Sequence, residues 1–304
     1  MPSTRSCITL CESIDEACTQ LLQHSFAVLR VEPEISDSLN AAWMASRNFL
    51  SSIHESHHDE SCMTYRYRMI KDHALLGFNR PSPHKLLFRA FFSQGGEQDA
   101  LQPWPSDIDS GALETSSTTL VPRLHNLLLT FHKMLKEETR VEDSHEVEER
   151  LHDANKRKRS YSKTNSFEEN IAPCPLDYFL YHNRNEAENC SEHVDRGMLI
   201  CISLSRHVAG LEVLSKVDGC WHCPEIITTR ESLYEENDTG CSDFICILSG
   251  DQLVNSVGVG AESLKQNPGL RACVHRVRRR LSMARLSISY ELRATEEAQS
   301  SKSR

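Results

Sequence analysis

The spacing of apolar residues changes rhythm near the middle of this chain. Helical periods dominate the first half. Residues 9–23 read as a short helix, with Ser13 or Thr9 near its start and Leu21 and Leu22 inward. Ser25-Phe-Ala-Val-Leu-Arg-Val31 is apolar and β-branched, which predicts a buried strand. A second helix follows, capped by Ser36 or Asp37, with Ile35, Leu39, Trp43 and Leu50 near one face. Residues 93–118 carry Gly95, Gly96, Pro103, Pro105, Asp107 and Asp109 and predict loops. Leu120, Leu124, Leu127, Leu128, Phe131 and Leu135 then form a helical stripe, with Pro122 near the first turn, where proline is tolerated.

Beyond Pro173 the rhythm is that of short strands between turns: 176–182, 198–204, 211–215, 243–248, 252–256, 272–277 and 285–292. This predicts a mainly β fold with flanking helices, its core a double-stranded β-helix or jelly roll. The expected organisation has four parts: a helical and strand region at 1–135 packing on the barrel, an insertion at 136–172, the jelly-roll core at 173–294, and a polar tail at 295–304. In the insertion, acidic residues such as Glu137, Glu142 and Glu149 give way to Lys156-Arg-Lys-Arg159 and a serine-rich stretch, so it reads as exposed and flexible. The basic tetrad also suits a nuclear-import signal or a phosphate-contacting patch. Two loops, 225–242 and 256–271, lengthen the path towards the last strands.

With 304 residues and 39% hydrophobic content, the chain can bury a sizeable core. A net charge of -9 argues against a nucleic-acid partner bound over the whole surface. The twelve cysteines are scattered singly, and the first residues lack an apolar core and carry Glu12, Asp15 and Glu16. The expectation is a reduced, cytoplasmic protein, with the nucleus as the alternative. No apolar run approaches the roughly 20 residues that span a bilayer, so no membrane partner is expected.

The candidate chemistry centres on Ser191–Leu204, where His193 and Asp195 directly precede an apolar run. Residues i and i+2 point the same way at a strand edge, so imidazole and carboxylate can converge on one ion. His275, in Cys-Val-His-Arg-Val, offers a third ligand. Two histidines and a carboxylate on one face of an ion form the arrangement of non-haem Fe(II) oxygenases. On its own, His-x-Asp equally suits a polar loop before a strand. Two rival metal clusters exist: His54, His57 and His58 in a polar stretch, and Cys220-x-x-Cys223 with His222, Cys241 and Cys246, which resembles half a zinc site.

From Tyr181 to Leu292 the chain resembles the 2-oxoglutarate- and Fe(II)-dependent dioxygenases of the isopenicillin N synthase-like, plant-type group. His193-Val-Asp-Arg-Gly197 is similar to that family's first two ligands with their trailing glycine. Gly210-Leu-Glu-Val-Leu214 and Asp218-Gly-Cys-Trp221 follow its strand and turn, and Gly250-Asp-Gln-Leu253 its Gly-Asp-x-Leu turn. His275-Arg-Val277 with Arg285-Leu-Ser287 resembles the distal histidine and the Arg-x-Ser motif. Earlier, Ser25 stands where the family opens a strand with glycine, and Gly77-Phe78 with Lys85-Leu-Leu-Phe88 is loosely similar to another family segment.

The resemblance implies iron at His193, Asp195 and His275, which are also the catalytic residues, with 2-oxoglutarate and O2 as co-substrates. It assigns 2-oxoglutarate to Arg285, Ser287 and Tyr181. A guanidinium grips a carboxylate bidentately, and Arg285 and Ser287, two apart on a strand, project to one face. Arg278, Arg279 and Arg280 lie nearby, which makes an exposed strand arginine the plainer alternative for Arg285, but the family's spacing favours Arg285 over those three as the clamp. Phe179 replaces the asparagine that the family commonly has two residues before its tyrosine, and Asn183 is near without matching. The implied activity is oxidation, chiefly hydroxylation, of a small molecule, with release of succinate and CO2. A catalytically silent scaffold, and an iron oxidase independent of 2-oxoglutarate, are the alternatives. Oligomeric state is not legible.

Overall fold

The computed structural model of the chain describes residues 8–55, 68–70, 74–92, 104, 110–140, 174–182, 189–206, 208–229, 241–256, 270–279 and 281–294. Its strands are β1 (Leu10–Cys11), β2 (Phe26–Arg30), β3 (Arg68–Ile70), β4 (Ala74–Ser82), β5 (Lys85–Phe92), β6 (Cys174–Tyr181), β7 (Cys190–His193), β8 (Leu199–Ser205), β9 (Leu211–Leu214), β10 (Trp221–His222), β11 (Cys241–Ser249), β12 (His275–Val277) and β13 (Arg285–Leu292). The described helices are α1 (Ile14–His24), α2 (Pro33–Glu55), α3 (Gly111–Arg140), α4 (Pro224–Thr229) and α5 (Asp251–Ser256). The large sheet runs β1-β2-β11-β8-β13-β6-β5-β4-β3, and the small one β10-β9-β12-β7. Together they form a double-stranded β-helix, mainly β with flanking helices.

The two-residue period of the large sheet divides its side chains between two environments. Outward residues of β5, β6 and β13 (Leu86, Phe88, Leu176, Tyr178, Ile288, Tyr290) join one core with Leu39, Trp43, Leu124, Leu128 and Phe131 of α2 and α3. Two hydroxyls tie α3 to the sheet: Tyr178 bonds Ser117 at 2.7 Å and Tyr290 bonds His125 at 2.8 Å. Inward residues of β2, β8 and β11 (Phe26, Val28, Ile200, Phe244, Cys246) pack on Leu211 and Val213 of the small sheet. Inward residues of β5, β6 and β13 are instead largely polar. They leave a cavity between the sheets.

Several expectations need correction. The first helix begins at Ile14, capped by the Ser13 side chain, and Leu10–Cys11 ahead of it is a strand. The second helix begins at Pro33, not at Ser36 or Asp37; proline is favoured in a first turn because its missing N–H has no partner there. Residues 111–118 are helical, so Pro122 lies inside α3 and removes an internal hydrogen bond; burial of Leu120, Val121 and Leu124 offsets this cost. Residues 252–256 belong to α5, not to a strand. The part of the 136–172 segment beyond Arg140, the tail 295–304, and His57 and His58 lie outside the described residues. Among the described residues, no helix is long and apolar enough to cross a membrane.

Ser25 explains the glycine at its place in the resembled family. It caps the C-terminus of α1 with φ 71° and ψ 4°, donating its N–H to Leu21. That left-handed conformation crowds a Cβ, and the buried Ser25 Oγ has no hydrogen-bond partner. Ser25→Gly should therefore stabilise the fold by about 1 kcal/mol, after subtracting glycine's extra freedom in the unfolded chain. Urea unfolding checks this: a higher midpoint at unchanged slope is expected, and a lower midpoint would show that the strain is absent.

Candidate functional site

The small sheet brings the two histidines face to face. β12 lies between β9 and β7, with His275 the register partner of His193 on one side and of Val213 on the other. Their rings are 4.2 Å apart between centroids. Asp195 follows β7 by two residues and points back at both, its Oδ1 3.6 Å from His193 Nε2 and its Oδ2 3.4 Å from His275 Nε2. The three ligand atoms lie within 4.8 Å of one another, and no other such group of His, Cys, Asp or Glu occurs among the described residues.

Backbone carbonyls fix which nitrogen of each ring is free. His193 Nδ1 faces the Ser191 carbonyl at 2.8 Å, and His275 Nδ1 faces that of Cys273 at 3.2 Å. A carbonyl can only accept, so each Nδ1 carries the proton and each Nε2 is the nitrogen that could bind a metal. The Asp195 loop is pinned by the Gly250 turn: Asp251 N–H donates to the Asp195 carbonyl at 3.0 Å, and Gly250 N–H to Met198 at 2.9 Å. A Cβ on Gly250 would stand 2.1 Å from the Gly197 carbonyl, and one on Gly197 would stand 2.4 Å from Glu291 Cγ. Both motif glycines thus exist for close approach.

Charge differs sharply among the three. Burial pushes His275 down to about 4, aided by neighbouring His193, so it is neutral and ready to donate. His193 is pushed up to about 9, first by its hydrogen bond to Cys190, against the effect of burial. The Cys190 thiol, 3.8 Å from His193 Nδ1, is lowered in turn because His193 and Lys85 outweigh burial. Burial raises Asp195, partly countered by His193. The set of two imidazoles and one carboxylate, with both Nε2 atoms turned to Asp195, fits Fe(II).

The cavity beside the triad measures about 420 Å³. Its large-sheet wall is built in rows set by strand register. Arg285, Tyr181 and Lys85 form one row across β13, β6 and β5; Ser287, Phe179 and Leu87 form the next; Ser289, Asp177 and Arg89 form the third. Arg285, Ser287 and Tyr181 therefore share a wall facing the triad. Arg285 is 1% exposed. The nearby arginines serve elsewhere: Arg276 bonds Glu212 and Glu192 at 2.7 Å and stacks over Trp221, while Arg278 lies 3.8 Å from Glu212. Arg280 and Asn183 lie outside the described residues.

Four features of the site were given no role by the motifs, although Lys85 opens the loosely similar Lys85-Leu-Leu-Phe88 segment. Glu225, on α4 inside the supposed loop 225–242, accepts from Arg285 Nε at 3.0 Å and Nη2 at 2.8 Å. Lys85 holds its ammonium 4.5 Å from the Phe179 ring centroid and 5.2 Å from that of Tyr181. Arg89 pairs with Asp177 in the third row, and Cys190 sits against His193. The alternation Lys85-x-Leu87-x-Arg89 was a usable signal for one cavity-facing strand; Glu225 had none.

The cysteine cluster does not assemble. Cys241 and Cys246 lie on β11 five residues apart and belong to the cores on opposite faces of the sheet. Cys223 instead approaches Glu225 Oε2 at 3.4 Å.

No protein-family model matches the chain, and neither does any curated protein. Solved structures do share its fold. The Arabidopsis thaliana dioxygenase for auxin oxidation 1, in a 2-oxoglutarate binary complex, matches with TM-score 0.59 and 13% identity over 96% of this chain and 94% of that one. The rice dioxygenase for auxin oxidation gives 0.57 and 15% over 95% and 84%. A full-length Neurospora crassa protein, in complex with alpha-KG (2-oxoglutarate) and 5-formyluracil, gives 0.57 and 15% over 92% and 78%. At these identities the likeness is one of fold.

Metal binding should be linked to protons through His193. Its Nε2 proton must leave when a metal arrives, whereas His275 has none to lose, so affinity is full above about pH 9 and falls as pH drops below that value. Near neutral pH, binding of Mn(II) should release about one proton, and less in Cys190→Ser, where the strongest influence raising His193 is gone. Calorimetry in two buffers of different ionisation enthalpy counts the protons; equal release by both proteins would refute the link.

Proposed function

We propose that this chain is a non-haem Fe(II)- and 2-oxoglutarate-dependent dioxygenase that hydroxylates a small organic substrate. The balanced reaction is R–H + O2 + 2-oxoglutarate → R–OH + succinate + CO2. The observation that carries this reading is the convergence of His193, Asp195 and His275 within 4.8 Å, across a cavity from Arg285 and Ser287. Bound to the triad, iron would supply the centre at which O2 is activated.

The chain's own residues would do the rest. His193 and His275 donate neutral Nε2 lone pairs, and Asp195 cancels part of the ion's charge. Arg285 and Ser287 hold the far carboxylate of 2-oxoglutarate, and Tyr181, buried and held well above the ordinary phenol range by that burial, offers its hydroxyl as a donor. The aromatic and aliphatic lining, half-buried Phe179 with buried Leu87, Ile202 and Leu211, keeps water from the reacting centre. Beyond them, the Arg89–Asp177 and Arg293–Glu291 pairs give the cavity a charge-balanced polar end suited to a small polar substrate. Ligands of that size are seen in a protein of like fold, since the N. crassa protein was captured with 5-formyluracil and with thymine.

One observation favours a second reading, an iron oxidase that does not use 2-oxoglutarate: Glu225 already occupies one edge of the Arg285 guanidinium. An anaerobic titration with Fe(II), then 2-oxoglutarate, separates the two. The dioxygenase should bind iron and then develop a visible metal-to-ligand charge-transfer band. His275→Ala should lose iron binding, and Arg285→Ala should weaken 2-oxoglutarate about 10-fold or more. Iron without a band would favour the oxidase; no iron would overturn both.

A further inference from the structure

Resting on that reading, we propose that Lys85, rather than Arg285, supplies the net positive charge that draws the far carboxylate of 2-oxoglutarate into this cavity. The first step is a charge count. Arg285 and Glu225 are 1% and 2% exposed and lie 2.8 Å apart, with one Glu225 oxygen taking both Nε and Nη2. That pair is close to neutral as a unit. The same oxygen accepts the Leu211 N–H at 3.3 Å, and Gly210 packs directly against the Arg285 side chain, so the pair is locked in place. Arg285 keeps its remaining N–H groups for directed hydrogen bonds but brings little net charge.

The second step is position. Lys85 is the register partner of Tyr181 on β5, and Arg285 is the partner of Tyr181 on β13. Adjacent strands lie about 4.8 Å apart, so Lys85 and Arg285 start from backbones about 10 Å apart with Tyr181 between them. Side chains of this length reach a carboxylate held over Tyr181 from both sides. The stacked Phe179 and Tyr181 rings, 5.8 Å apart, hold the ammonium over the cavity wall through cation–π attraction. The other polar atom placed beside Lys85 Nζ is Cys190 Sγ at 3.8 Å, and no carboxylate among the described residues forms an ion pair with it. A dicarboxylate co-substrate supplies the missing counter-charge: one carboxylate for the triad, the other for Lys85, Tyr181 and Arg285.

The test uses the full chain loaded anaerobically with Fe(II). Iron binding is measured first, as the check that each variant is folded with an intact triad. Two probes are then titrated: 2-oxoglutarate, and 2-oxobutyrate, which has the same oxo-acid head and no far carboxylate. Lys85→Met should raise the 2-oxoglutarate Kd by about 10- to 100-fold, leave that of 2-oxobutyrate unchanged, and be rescued largely by Lys85→Arg. Glu225→Gln removes the charge that neutralises Arg285, so Lys85→Met should cost less in that background than in the wild type. An unchanged 2-oxoglutarate Kd in Lys85→Met, an equal loss for both probes, or strict additivity with Glu225→Gln would overturn the assignment. A wild type that binds iron but never 2-oxoglutarate would instead overturn the proposed function itself.

Discussion

The two-residue period of β5, β6 and β13 is the constraint on which the rest depends. Each strand sends one set of side chains to the helices and the other to the cavity. Because register is exact along a paired strand, burying Leu286, Ile288 and Tyr290 against α3 obliges Arg285, Ser287 and Ser289 to face inward. The same holds for Leu176, Tyr178 and Leu180 against Asp177, Phe179 and Tyr181. A slip of one residue would turn every polar group of the site into the helical core. The apolar energy of the outer layer therefore holds the polar wall in position, and the chemistry needs no separate scaffold.

This coupling explains what was legible in the chain. His193 and Asp195 sit two apart and Arg285 and Ser287 sit two apart, so each pair shares a face by local geometry alone. The structure brings His275 to His193 and Asp195 through strand pairing, which the sequence suggested only through motif order. Continuous apolar runs also revealed the strands β2, β8 and β11. Residues 252–256 mislead because a short stretch holding Leu253 and Val254 has too few positions for its period to distinguish helix from strand. Gln252, the first of them, donates its N–H to the Arg196 carbonyl, beside the Asp251 N–H that holds the Asp195 carbonyl.

What stayed hidden depends on contacts between distant segments. Glu225 meets Arg285 across 60 positions of sequence, and Lys85 meets Cys190 across 105. Neither contact leaves a local pattern. Glu225 reads as part of a loop because α4 spans only Pro224–Thr229 and carries no long periodic stripe. Charged residues on the surface and charged residues lining a cavity look alike in sequence. Register alone separates them.

Under the proposed function, the Glu225–Arg285 pair also gives a reason for a co-substrate site to hold a carboxylate of its own. A guanidinium buried to this degree without a partner would cost several kcal/mol whenever no dicarboxylate was present. Placing Lys85 and an uncompensated Arg285 on one row would add repulsion between like charges. Glu225 removes both costs and fixes the guanidinium in one orientation before a ligand enters, so less freedom is lost on binding. The consequence is a division of roles. In the proposed co-substrate site, Arg285 would supply direction and Lys85 charge, with Tyr181 between them as the hydroxyl that both flank.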